Sequence, residues 1–160
     1  MDKPAAAEIQ VGPNALFYDD FEVGRSWGTP ARTITEADIV LFAGLTGDYN
    51  PVHTDAEFAK TTPFGMRILH GPAGFAIATG LEFRLGIKEG TATAMLGMTW
   101  DFRGPILMGD TIRVKQKVSS MRETKKPTLG IVNFHVAIVN QRDEVVQEGE
   151  WKIMFRRKGA

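Results

Sequence analysis

The sequence predicts an α+β domain with helices in its first half and an antiparallel sheet in its second. Three observations carry that expectation. The hydrophobic period changes from 3.6 to 2 after Gly90. The run Phe75-Ala76-Ile77-Ala78-Thr79-Gly80-Leu81 is apolar or small nearly all round, so a helix there has to be buried. Three long alternating segments then follow one another with connections of about 4–10 residues, the pattern of a meander. One long buried helix and a twisted antiparallel sheet fit together if the sheet wraps the helix.

The elements follow in order. Residues 1–16, with Pro4, Ala5–Ala7 and Gly12-Pro13, read as a loose lead. Tyr18 to Gly24 reads as an exposed turn with two aromatic anchors. Arg25 to Arg32 is expected to be extended, because Pro30 disfavours helix at Thr29. A first helix starts at Thr35, where Asp38 three residues on resembles a capping partner. Ile39, Val40, Phe42, Ala43 and Leu45 give it an apolar face, and Gly47 stops it. A polar loop runs from Thr46 to His53, followed by a short helix from Asp55 to Lys60.

The second long helix is expected over Pro72–Leu85, with Pro72 at the first position, where its missing N–H costs nothing. Gly74 and Gly80 each lower its propensity by about 1 kcal/mol relative to Ala, so it needs tertiary packing. Strands are expected at Ala92–Phe102, Thr111–Ser119, Thr128–Asn140 and Val145–Arg156. Their inward rows are Ile112, Val114, Gln116 and Val118, then Val132, Phe134, Val136 and Ile138, then Trp151, Ile153 and Phe155. A single domain over 17–156 is expected, with a short tail at 157–160. A sheet with one apolar face and an exposed edge tends to pair with a second copy.

Composition bounds the function. The chain has 160 residues, 19 Lys+Arg against 19 Asp+Glu, three His and no Cys. A chain of this size buries roughly 70% of its unfolded surface and holds a core without staples. The missing cysteines exclude disulfide frameworks, Cys-based zinc sites, iron–sulfur clusters and cysteine nucleophiles. Balanced charge argues against broad binding to nucleic acid or an anionic membrane. No secretory signal is expected from the opening residues and no stretch has the length of a membrane span, so a cytoplasmic protein is expected.

Two segments carry chemistry. Gly47-Asp48-Tyr49-Asn50-Pro51-Val52-His53 places a carboxylate, an amide and an imidazole within six residues. Asp48 is a candidate base, Asn50 a hydrogen-bonding partner, and His53 a proton donor or acceptor near neutral pH. Equally, Asp48 and Asn50 are ordinary turn and capping residues, and His53 a surface histidine. In Ile68-Leu69-His70-Gly71-Pro72, Gly71 offers an unpaired backbone N–H at the positive end of a helix, where an oxyanion is stabilised. The alternative is a plain N-cap. His70 is either a second proton-transfer group or an orienter of this loop. No zinc-type spacing joins the three histidines.

The residues Leu45-Thr46-Gly47-Asp48-Tyr49-Asn50-Pro51-Val52-His53-Thr54-Asp55, followed by Ile68-Leu69-His70-Gly71, resemble the hydratase signature of the MaoC-like (R)-specific enoyl-CoA hydratases. The resemblance continues through Phe102-Arg103-Gly104-Pro105-Ile106 and Met108-Gly109-Asp110 and covers about residues 17–156. It implies a hot-dog fold, with the helix Pro72–Leu85 lying in the sheet. It also implies a homodimer or a higher assembly of dimers, with acyl-CoA bound along the interface. By the same resemblance Asp48 and His53 are catalytic, Gly71 supplies the oxyanion N–H, and Asn50 supports them. Thr79 stands where well-known members carry Ser, and Pro72 replaces a larger apolar residue.

The implied reaction is hydration of a trans-2-enoyl thioester to the (R)-3-hydroxyacyl-CoA. Asp48 accepts a proton from water and His53 delivers one to Cα, with no metal or redox cofactor and with the CoA thioester as substrate. Arg67, Arg84, Lys88 and Arg103 are candidates for the CoA phosphates, or solvated surface charges. Phe42, Phe58, Phe64, Phe75, Phe83 and Met95 line an acyl tunnel or pack the core. Two alternatives remain at this level: a hot-dog thioesterase, against which the Asp-x-Asn-Pro-x-His loop argues, and a non-catalytic acyl-thioester-binding subunit.

Overall fold

The structure is a computed structural model that describes residues 10–159. A 3₁₀ turn at Tyr18–Asp20 leads into two short strands, β1 (Ser26–Gly28) and β2 (Arg32–Thr33). Four helices follow: α1 (Glu36–Thr46), α2 (Pro51–Thr54), α3 (Ala56–Lys60) and α4 (Gly71–Phe83). The rest is sheet: β3 (Ala92–Met98), β4 (Asp101–Phe102), β5 (Thr111–Glu123), β6 (Leu129–Val139) and β7 (Val145–Arg156).

Alternation builds the sheet. β5, β6 and β7 form the expected antiparallel meander, with Val114 opposite Ile138 and Phe134 opposite Trp151. The strand order is β1-β5-β6-β7-β3, with β2 also on β5 and β4 also on β7. The inward rows are those the period predicts, Gln116 included, and all are buried. Ala73, Ala78 and Leu81 of α4 join them in one core.

Several boundaries differ from expectation for local reasons. The strand expected over Ala92–Phe102 is broken after Met98, and register shifts fall between Ala92 and Ala94 and between Met95 and Gly97. Such bulges bend an edge strand and raise its twist. β5 runs four residues beyond Ser119, across an irregularity between Val118 and Ser120. Pro51–His53, expected in the loop, begins a helical turn instead, because Pro51 is pre-set for a first helical position and the Asn50 side chain accepts the Val52 N–H. Asp55 then caps α3 by accepting from Glu57 and Phe58. α4 begins at Gly71 rather than Pro72, with His70 as N-cap, and ends two residues before Leu85.

The capping pair of α1 forms: the Asp38 carboxylate accepts the Thr35 N–H at 2.8 Å and its hydroxyl at 3.0 Å. Gly47 closes that helix in the left-handed region, at φ 75°.

α4 is not covered all round. The sheet covers one side, while Pro72, Ala76, Thr79, Gly80 and Phe83 face outward, Phe83 at 63% exposure. Val40, Leu41 and Leu45 of α1 are also exposed. The lead is tied down where it is described: Gly12 and Leu16 donate their N–H groups to the carbonyls of Glu89 and Ile87. Its residues 1–9 lie outside the described residues, as does residue 160 of the tail. Of that tail, Arg157 bonds Asp19 and Glu123, and Lys158 pairs with Asp20. Tyr18 and Phe21 are the buried anchors of the first turn. Among the described residues no helix is long and apolar enough to cross a membrane.

Candidate active site

The site forms where the C-terminal end of α1, the short α2 and the N-terminal end of α4 meet. Thr46 starts the approach, its hydroxyl donating to Phe42 and accepting the Asp48 N–H at 3.2 Å. The Asp48 carboxylate accepts the Asn50 N–H at 3.2 Å, and Asn50 caps α2. These are the turn contacts that the plain reading of the loop expects, and they hold Asp48 in place without burying it. α2 carries His53 into the interior.

Both histidines are oriented by backbone carbonyls. His53 Nδ1 lies 2.9 Å from the Ile68 carbonyl. A carbonyl only accepts, so Nδ1 carries the proton there and Nε2 is left for chemistry. His70 Nε2 lies 2.9 Å from the Asp48 carbonyl, so His70 ties the α4 N-terminus to the Asp48 loop. Its ring is 1% exposed, and its Nδ1 has no partner among the described residues. The rings of His53 and His70 stack, with centroids 3.8 Å apart at 26°, and Phe42 packs on His70 at 5.1 Å.

Asp48, His53 and His70 offer atoms that all lie within 4.8 Å of one another. That spacing alone would admit an ion. The nearly parallel stack opposes it, because in-plane lone pairs of stacked rings run side by side instead of converging on one centre.

Gly71 is the first residue of α4, so its N–H has no intrahelical acceptor and sits at the positive end of the helix dipole. A Cβ on it would meet the Phe102 ring at 2.7 Å. His53, Gly71, Phe102 and Gln147 line one cavity of about 320 Å³. A second groove, about 460 Å³, lies between α1 and α4 and is lined by Leu41, Phe42, Ala76, Ile77 and Gly80, with Arg84 beside them.

The other predicted residues fall into different places. Thr79 lies eight residues beyond Gly71, about 12 Å along α4. It is on the open face, and its hydroxyl donates to the Ala76 carbonyl. Within one chain it does not join the cluster. Lys88 is a correction: it is buried against Glu82, with its ammonium over the Phe134 and Trp151 rings, and is not placed to meet a phosphate. Burial pushes the Lys88 ammonium pKa down and the Glu82 carboxyl pKa up, each partly opposed by the other. Arg103 lines the smaller cavity but is engaged by Asp101 and Glu148, each at 2.9 Å. Arg67 pairs with Glu36. Arg84 makes no ion pair among the described residues.

Sequence reasoning missed Gln147, Trp100 and the close approach of Phe102. Gln147 had a signal, since it falls on the inward row of β7 with Trp151, Ile153 and Phe155, a polar residue where the pattern wants an apolar one.

A double hot-dog protein from Mycobacterium tuberculosis superposes with a TM-score of 0.76 at 16% identity, over 91% of this chain and 46% of that one, so the fold is a hot-dog. The chain belongs to the MaoC-like dehydratase family, whose MaoC like domain matches residues 20–139.

It is 35% identical over 145 residues to an (R)-specific enoyl-CoA hydratase of Rhodospirillum rubrum, covering 89% of this chain and 94% of the relative. It is 34% identical to a 3-hydroxybutyryl-CoA dehydratase of Methylorubrum extorquens, covering 89% and 86%. Among solved structures, the unliganded (R)-hydratase of Pseudomonas aeruginosa matches with a TM-score of 0.75 at 33% identity, over 89% of this chain and 86% of that one. By name these relatives are hydro-lyases.

Proposed function

We propose that this protein reversibly hydrates trans-2-enoyl-CoA to (R)-3-hydroxyacyl-CoA. The observation that carries the reading is the approach of Asp48 and His53 to within 4.8 Å, with His53 and the Gly71 helix N-terminus on one cavity. In this reading His53 begins as the imidazolium, its Nδ1–H on the Ile68 carbonyl and its Nε2–H toward the substrate. Asp48 takes a proton from water as the oxygen bonds Cβ. Charge moves to the thioester oxygen, which the Gly71 N–H stabilises by donating a hydrogen bond to it, an effect worth about 3–4 kcal/mol in comparable sites. His53 Nε2 gives its proton to Cα, and Asp48 later returns the water's proton to His53. One water is added in sum, and no metal or redox cofactor takes part.

A homodimer belongs to the same reading. Among the described residues β3 is an unpaired edge of the sheet, with Met95, Leu96 and Met98 exposed, and the open face of α4 carries Thr79. A second copy on these surfaces would cover both and bring the CoA candidates Arg67, Arg84 and Arg103 to the edge of a shared cleft.

The test is loss of the conjugated thioester's ultraviolet absorbance with enoyl-CoAs of graded length. Asp48→Asn and His53→Gln should keep the fold and cut turnover by about 100-fold or more. Near wild-type turnover in either variant sinks the assignment, and release of free thiol would point to a thioesterase.

A further inference from the structure

Gln147 is 2% exposed, on the interior strand β7, under the first turn of α4. Its side chain spans two groups that come from distant parts of the chain. Its Oε1 accepts the Trp100 indole N–H at 2.9 Å, and its Nε2 donates to the Gly71 carbonyl at 3.1 Å. The direction of the amide is fixed by chemistry. An indole N–H only donates and a carbonyl only accepts, so the amide has one orientation that satisfies both.

The first turn of α4 is shaped to receive it. Gly74 has no side chain where one would collide, since a Cβ there would lie 2.5 Å from Gln147 Nε2. Trp100 is held in its turn by edge contacts with Phe75 at 5.5 Å and by Trp151 at 5.8 Å. Gly71 also precedes a proline, a position that disfavours the helical region, so its helical conformation needs outside support.

We propose that Gln147, fixed by Trp100, is a positioning residue that sets the orientation of Gly71 and so aims its N–H at the thioester oxygen. The proposal rests on the hydratase reading for its catalytic consequence. Gln147 lines the wall of the same cavity, but its amide oxygen is engaged by Trp100 and its amide nitrogen by the Gly71 carbonyl, so it acts through Gly71. Displacing a donor by an ångström costs about 100-fold in rate in comparable sites, so loss of the Gln147 contact should cost about 10–100-fold in kcat. KM should move by less than about three-fold, because the acyl and CoA contacts remain.

The experiment compares wild type, Gln147→Met and Trp100→Phe, with two readouts. The first is the Gly71 amide resonance in ¹⁵N-labelled protein, with Gly24 and Gly159 as remote references. The second is kcat and KM for hydration of an enoyl-CoA that wild type turns over. The expected result is a displaced Gly71 resonance in both variants, unchanged references, and a fall in kcat with KM held. Trp100→Phe keeps the amide and the aromatic packing, so it tests the orientation even if Gln147→Met folds poorly. An unmoved Gly71 resonance, or wild-type kcat in Trp100→Phe with a moved one, overturns the proposal. If wild type hydrates no enoyl thioester, the hydratase reading fails, and the Gly71 resonance alone still decides whether Gln147 positions Gly71.

Discussion

At Gly71 a hydrogen atom stands where any other residue would place carbon. The Phe102 ring occupies the space a Cβ needs. Phe102 is 58% exposed, so part of the clash can be relieved by swinging the ring outward. Gly71→Ala should therefore cost about 1 kcal/mol, the low end for overpacking. Thermal unfolding of Gly71→Ala should show that loss, and Phe102→Ala in the same chain should cancel most of it. A double variant no more stable than Gly71→Ala would place the strain elsewhere. This scale was unevenly legible in the sequence. Asp48, Asn50 and His53 could be found because a short loop keeps them close whatever the rest of the chain does. Phe102 and Gln147 reach Gly71 only through the sheet, and no local spacing relates them to it.

Among the elements, α4 is the one whose character the sequence states most plainly and whose interior it hides. An all-apolar helix was foreseen. A buried Glu82–Lys88 pair at its end was not, because Lys88 reads as a surface cation until the Phe134 and Trp151 rings close over it. Removing one partner leaves the other charge buried. Lys88→Met should cost about 3–5 kcal/mol, and Glu82→Leu with Lys88→Met should recover most of it.

The pH dependence has a definite sign. Burial raises the Glu82 carboxyl above its ordinary 4.5, with Lys88 opposing. Without Lys88 only the raising remains. A raised carboxyl leaves stability intact below 4.5 and loses it as pH rises through the folded value. The deficit of Lys88→Met against wild type, followed by urea titration between pH 4 and 8, should be smallest at the acid end. A deficit that grows toward acid would contradict the burial argument.

The whole molecule shows two unlike edges. β1 ends one side of the sheet after three residues, too short to recruit a partner, while β3 presents seven residues with Met95, Leu96 and Met98 outward. If β3 seats the proposed dimer, Leu96→Lys should shift the protein toward monomer in sedimentation and lower the proposed hydration with it. A monomeric wild type at working concentrations would remove the dimer from the functional reading. The meander was legible because period 2 survives along three long strands. The placement of β3 beside β7 was not, since β4 and the long β5–β6 hairpin lie between them in sequence.

The position of β7 has a consequence for synthesis. It follows the other described strands in chain order, yet it lies between β6 and β3 in the sheet, so the place that joins β3 to β6 stays empty until translation passes Arg156. Asp48, His53 and Gly71 leave the ribosome about a hundred residues earlier, at roughly 5–20 residues per second. During that interval β3 and β6 each show an unpaired edge, and the apolar side of α4 waits uncovered. A nascent chain halted before Gln147 holds Asp48, His53 and Gly71 and lacks the strand that packs beneath the first turn of α4.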